Sequence, residues 1–111
     1  MTEPRLKTEI RVAAHIRRAR GEGAFATVAR KGDPDAGAVA VKVYLGARNA
    51  RLYVQSRDLD GALIWRDPFE DDPQTEETEI RVDAWLAKEI SIDPDLWIVE
   101  IEDRDGRAFL D

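Results

Sequence analysis

The sequence has no cysteine and a single histidine among 111 residues. Disulfides, thiolate catalysis and thiolate zinc sites are therefore excluded, as is any metal site built from several imidazoles. A metal bound here would need oxygen ligands. Long apolar runs are also missing: nothing approaches the roughly 20 residues of a membrane-spanning helix. The opening Met1-Thr2-Glu3-Pro4-Arg5 lacks the apolar stretch of a signal peptide. The expectation is a cytoplasmic protein with no membrane attachment and no cofactor. Positive charge is the scarcer sign, with 17 lysines and arginines against 23 acidic residues, and the net charge is −6. That balance disfavours nucleic acid and anionic membranes, which both need a positive field.

What is present suits one domain spanning residues 1–111. The 43% hydrophobic content supplies a core, the 36% charged content a soluble surface, and no stretch reads as an interdomain linker. Charge is uneven: Arg17, Arg18, Arg20, Arg30 and Lys31 fall in the first third, whereas residues 67–79 and 93–105 are mostly acidic.

Residues 5–20 contain neither proline nor glycine, and Leu6, Ile10, Ala13 and Ala14 recur at helical spacing with Val12, Ile16 and Ala19 beside them. This predicts an amphipathic helix, with Thr2 as its N-cap, Pro4 in its first turn, and Gly21 and Gly23 ending it. Residues 24–31 are strand-like, and Gly32-Asp33-Pro34-Asp35-Ala36-Gly37 is rich in turn formers. A second strand over 38–45 puts Val39, Val41, Val43 and Leu45 on one face and mainly alanine on the other. Residues 50–56 and 62–65 follow after short links, so the strands read as an antiparallel meander. After a charged loop over 66–74, a second helix begins at Thr75 or Thr78 and carries Val82, Trp85, Leu86 and Ile90 as its stripe. Asp93-Pro94-Asp95 breaks it, residues 96–102 form a last strand, and Asp103-Arg104-Asp105-Gly106 turns into a short tail.

The fold class is thus α+β: a mainly antiparallel sheet of about five strands with two amphipathic helices. Thr8-Glu9-Ile10-Arg11-Val12 recurs as Thr78-Glu79-Ile80-Arg81-Val82, each copy leading into a helix, a break, a strand and an acidic turn. Two readings stand side by side: a degenerate α-β internal repeat, which aligns His15 with Trp85, or a coincidence between two amphipathic helices.

Chemistry has few places to sit. Asp33, Asp35, Asp95, Glu100 and Glu102 are hard oxygen donors, and Pro34-Asp35 followed by Lys42, or Pro94-Asp95 followed by Glu100 and Glu102, resembles the acid, acid, lysine set of metal-dependent nucleases. Neither completes it: Ala40 stands where a carboxylate should precede Lys42, and no lysine follows Glu102. Neither acidic turn continues as a calcium-binding loop, however, and Asp-Pro and Asp-Gly are turn formers in their own right. Glu100 and Glu102 alternate with Val99 and Ile101, so they share a strand face, as an acid/base pair or as partners for Arg17, Arg18 or Lys42. Arg17, Arg18 and Arg20 suit the negative end of the first helix and are candidate phosphate or partner contacts. His15 lies on the helix stripe without an adjacent nucleophile and reads as packed. Gly21-Glu22-Gly23 follows a helix, the wrong order for a nucleotide loop. Trp65, Trp85, Trp97, Tyr44 and Tyr53 serve packing if buried and mark a binding surface if exposed.

The blocks Arg5-Leu6-Lys7, Arg17-Arg18, Gly32-Asp33-Pro34-Asp35-Ala36-Gly37-Ala38-Val39, Asp93-Pro94-Asp95-Leu96-Trp97 and Glu100-Ile101-Glu102-Asp103-Arg104 occur in that order. Together they resemble an alphaproteobacterial family catalogued as domain of unknown function 1491. The resemblance brings no activity, cofactor or catalytic residue with it. It implies a bacterial, cytoplasmic α+β domain and directs attention to Asp33, Asp35, Asp95, Trp97, Glu100 and Glu102. The reading of the whole is a non-catalytic protein-binding or accessory module that uses the sheet edge, its aromatics or the Arg17/Arg18/Arg20 patch to engage a protein partner or itself. The alternative is a metal-dependent hydrolase of phosphoester or nucleic-acid substrates using Asp33, Asp35, Glu100 and Glu102.

Overall fold

The computed structural model describes residues 6–72 and 76–111. Helix α1 (Thr8–Gly21) is followed by strands β1 (Phe25–Arg30), β2 (Val39–Gly46), β3 (Asn49–Arg57) and β4 (Leu63–Arg66), then helix α2 (Glu79–Ile92) and strand β5 (Trp97–Glu102). This is the expected α+β set. The expected cap Thr2, the first-turn Pro4 and the alternative start Thr75 lie outside the described residues; Thr78 directly precedes α2.

All strands belong to one sheet in the order β1-β5-β2-β3-β4. β2, β3 and β4 form the antiparallel meander that their short links predict. β1 does not join it, which corrects the simple chain-order reading. β5 is inserted between β1 and β2, antiparallel to the first and parallel to the second, so the sheet is mixed. Burial explains the placement. Val99 and Ile101 on one face and Ile98 on the other are all buried, a pattern that suits a central strand, whereas β1 buries only Ala26 and suits an edge. The 32–37 loop consequently steps across the entry to β5, where the Asp33 N–H donates to the Asp95 carbonyl at 3.0 Å. A Cβ on Gly32 or Gly37 would run into that same carbonyl, so the crossing requires glycine at both positions.

The helices lie on opposite faces of the sheet. Val12, Ile16 and Ala19 of α1 pack with Val39, Val41 and Val43, while Val82 and Leu86 of α2 pack with Ala40, Leu52 and Ile98. The strict alternation along β2 makes this division: valines point to α1 and the small Ala40 accepts α2 closely. On α1 the buried stripe is Thr8, Val12, His15, Ile16 and Ala19, whereas Leu6 and Ile10 of the expected stripe are exposed. Thr8 tolerates burial because its hydroxyl donates to the Gly37 carbonyl at 2.9 Å.

The repeated pentapeptide performs one task twice. In each copy the threonine and the valine are buried and the isoleucine is exposed. Thr8 Oγ1 holds Gly37, and Thr78 Oγ1 donates to the Ala50 carbonyl at 2.9 Å while accepting from the Ala50 N–H at 2.8 Å. The following glutamates donate backbone N–H groups to Pro34 and to Arg48, both at 3.0 Å. Each helix start is therefore tied to a loop at one end of β2, on opposite sides of the sheet.

Candidate functional site

The first acidic turn and the Asp93-Pro94-Asp95 turn do meet, but through their backbones. Besides the Asp33 to Asp95 bond, Trp97 Nε1 donates to the Asp33 carbonyl at 2.7 Å, and Arg30 Nη1 donates to the carbonyls of Pro94 and Leu96 at 2.9 and 2.7 Å. The carboxylates stay with their own turns: Asp33 Oδ2 accepts the Ala36 N–H at 2.8 Å and Asp93 Oδ1 accepts the Asp95 N–H at 3.1 Å. Asp35 pairs loosely with Lys7 at 3.6 Å, both side chains well exposed. Glu100 and Glu102 lie along β5, facing Lys42 and Tyr44 of β2 in register. Among the described residues no three carboxylate or imidazole groups come together as a metal ion would require.

The arginines have local duties. Arg18 Nη2 donates to the Phe109 carbonyl at 3.1 Å and Arg20 Nε to the Ala26 carbonyl at 3.0 Å, while Arg17 stays exposed. Beside them His15 is buried, its Nε2 at 2.7 Å from the Ala108 carbonyl and its ring edge-on to Trp65. Trp65 Nε1 in turn donates to Asp111 Oδ1 at 3.1 Å, so α1 and β4 together clasp the C-terminal tail.

Lys42 stands out from the apolar run of β2. Only 7% exposed, it places Nζ 2.8 Å from Glu79 Oε2 and 2.8 Å from Asp83 Oδ1. Burial alone would lower its pKa, but the bonds to Asp83 and Glu79, with the charge of Glu100, outweigh it and hold the ammonium above its ordinary value. Glu100 thus faces Lys42, one of the partners its position on the strand implies. The arrangement neutralises a charge that sits between sheet and helix, which is a structural role.

The sheet edges differ from one another. On β1, Arg20 lies on the Ala26 carbonyl and the register breaks between Val28 and Arg30, two devices that blunt strand addition. β4 has neither. Its direction of hydrogen bonding follows from Ala50, whose N–H and C=O both meet Thr78 and therefore point away from β2. By the twofold alternation of a strand, Val54 and Ser56 point the same way and bond Arg66 and Ile64 of β4. The Asp58 N–H to Ala62 carbonyl bond, at 3.0 Å, continues this pattern. Leu63 and Trp65 are left with their backbone groups directed outward. Leu63 and Ile64, on opposite faces, are 46% and 40% exposed, and Leu59 at the hairpin tip is fully exposed. On the α1 side this edge borders a groove of about 540 Å³ lined by Leu6, Arg11, Ala38, Gln55, Arg57 and Leu63 among others.

The sequence model of a family described as "Protein of unknown function (DUF1491)" matches residues 6–111. The chain belongs to the DUF1491 family. A crystal structure of a DUF1491 protein from Caulobacter crescentus CB15 is 50% identical, covers 96% of this chain and 95% of its own, and superposes with a TM-score of 0.80. An NMR structure of a DUF1491 protein from the same organism gives 50% identity, 97% and 94% coverage and a TM-score of 0.82. The solution structure of protein Atu0922 from A. tumefaciens is 32% identical over 90% of this chain and 87% of its own, with a TM-score of 0.71. No curated protein matches the chain.

In this DUF1491 chain the sequence offers the charged residues by number and the sheet edge only in general terms, without saying which strand forms the exposed apolar edge. Leu63-Ile64-Trp65-Arg66 reads as a strand. That it is an edge strand depends on where β5 inserts, and periodicity does not report strand order.

Proposed function

We propose that the chain is a non-catalytic, cytoplasmic protein-binding module that receives an extended segment of its partner along the free edge of β4. The observation that carries this reading is the contrast between edges: β1 is blocked by Arg20 and an irregular register, while β4 presents outward backbone groups flanked by exposed Leu63 and Ile64. An unpaired strand edge with apolar side chains recruits another strand, the backbone giving affinity and alternate side chains giving selectivity. The bordering groove offers Leu6 and Leu63 to a side chain projecting on the α1 side.

The test is capture from native lysate with wild-type protein and with Leu63→Pro. The Leu63 N–H points outward and Leu63 opens β4, so proline there removes an edge donor without breaking the β3 ladder. Wild type should retain proteins that Leu63→Pro loses, while Arg17→Glu behaves as wild type. Equal capture by the wild-type and proline variants, with both folded by circular dichroism, removes the edge as the binding surface.

A further inference from the structure

Resting on that reading, we propose that the strand received by β4 is β4 of a second copy of this chain, so that two sheets join edge to edge about a twofold axis. Three features of the edge lead there.

The first is register. Leu63 and Trp65 carry the outward backbone groups, and Ile64 between them does not. In an antiparallel self-pairing centred on Ile64, Leu63 lies opposite Trp65 of the second copy, and each such pair exchanges both its backbone hydrogen bonds. Ile64 then meets Ile64 of the second copy on the α2 side, at the close spacing of a non-hydrogen-bonded pair. Leu63 and Trp65 pack across on the α1 side. One short strand supplies every partner it needs.

Charge is the second. The hairpin turn preceding β4 carries the exposed Asp60, beside Asp58 whose Oδ1 accepts the Asp60 and Ala62 N–H groups at 2.9 and 3.0 Å, and β4 ends in the exposed Arg66. The neighbouring Asp67 turns its carboxylate into its own loop, accepting the Phe69 N–H at 2.8 Å. Antiparallel pairing sets the acidic turn of one copy beside Arg66 of the other, and the twofold axis makes that contact twice. A parallel pairing would place like ends together.

The third is closure. With the β1 edge guarded, the described residues of each copy leave one free edge, so the β4 pairing is self-complementary and ends at two chains instead of growing into a fibre.

The experiment uses the absence of cysteine. Ile64→Cys introduces a lone thiol that the twofold axis brings next to its own counterpart, within bridging reach. Under mild oxidation it should convert almost wholly to a covalent dimer, while Leu59→Cys and Ile80→Cys, both exposed, convert far more slowly. By light scattering the wild type should show twice the chain mass of 12.5 kDa, and Leu63→Pro and Leu63→Lys the single mass, with circular dichroism unchanged. A wild type that stays at the single mass at millimolar concentration, with Ile64→Cys bridging no faster than Leu59→Cys, overturns the self-pairing. If lysate capture is then still lost in Leu63→Pro, the binding edge survives and takes a foreign strand. A dimer indifferent to both Leu63 substitutions overturns the self-pairing and places the dimer contact elsewhere.

Discussion

Lys42 Nζ and Asp83 Oδ1 stand 2.8 Å apart, and this contact joins the middle of the central strand β2 to the first turns of α2. Glu79 makes the same contact at the same distance. Removing the two hydrogen-bonded carboxylates while the lysine stays buried leaves its charge with Glu100 across the strand as the remaining counter-charge and without its direct partners, the costly half of breaking an internal ion pair. The double variant Glu79→Gln/Asp83→Asn is expected to lose about 3 kcal/mol in urea unfolding. Lys42→Met, which keeps the stem and removes the charge, should stay within about 1 kcal/mol of wild type, because both carboxylates retain access to water. The pH dependence has a definite sign. The folded-state pKa lies above the ordinary lysine value of 10.5, so the ion-pair contribution is complete below that value and disappears as pH rises through the folded pKa. Wild type should therefore weaken relative to Lys42→Met only in alkali; a difference that already changes near neutrality would show that another group is responsible.

The Thr78 hydroxyl satisfies the N–H and the C=O of Ala50 at once, at 2.8 and 2.9 Å. Thr78→Val preserves shape and leaves two buried backbone groups without their partner, for a cost of about 2 to 3 kcal/mol. Thr78→Ser retains the hydroxyl and should cost less than about 1 kcal/mol. Because Ala50 faces the same side as Leu52, the valine variant should also speed amide exchange along β3. Equal stability of the two variants would mean that water replaces the hydroxyl.

Glycines divide sharply by surroundings. Gly32 and Gly37 press against the Asp95 carbonyl, a backbone atom that cannot swing aside, and alanine at either should cost about 3 kcal/mol or prevent folding. Gly21, the last residue of α1, has nothing within 4 Å of an added Cβ. Gly21→Ala should raise stability by about 0.5 to 1 kcal/mol through helix propensity and a stiffer unfolded chain. Thermal midpoints of the three variants, ranked against wild type, check both signs together.

These contacts show where sequence reading succeeds and where it stops. The elements follow from periodicity and punctuation: valines alternate along β2, Gly21 and Gly23 end α1, and Asp93-Pro94-Asp95 separates α2 from β5. The insertion of β5 between β1 and β2 is not local information. It depends on β5 burying residues on both faces, Val99 and Ile101 on one and Ile98 on the other, a feature that competes with the short 32–37 link favouring a hairpin. Side-chain roles are harder again. Asp33 and Asp35 have the residue type of turn formers as well as of oxygen ligands; Asp33 accepts the Ala36 N–H, as a turn former does, and the loop is organised by carbonyls no composition reveals. Lys42 is a lone charge in the apolar run of β2, but its partners Glu79 and Asp83 come from a helix whose face is set only by packing.

His15 offers a separate acid-side test. Its Nε2 must carry the proton to donate to the Ala108 carbonyl at 2.7 Å, so protonation adds charge at Nδ1 inside a buried site bordered by Trp65. Burial lowers the pKa below 6.5. The Ala108 hydrogen bond and Asp111 act against burial, and the nearby Arg18 and Arg11 act with it. Since the unfolded chain takes up the proton first as pH falls, stability is complete above 6.5 and declines below it until the folded-state pKa is reached. His15→Gln keeps an amide donor for Ala108 and removes the titration. Between pH 7 and pH 5 the wild-type thermal midpoint should fall more steeply than that of His15→Gln, the carboxylates common to both cancelling in the difference. Parallel curves would show that the tail moves aside to solvate the imidazolium. In that case Trp65, which both faces His15 and holds Asp111, should change its fluorescence over the same pH range.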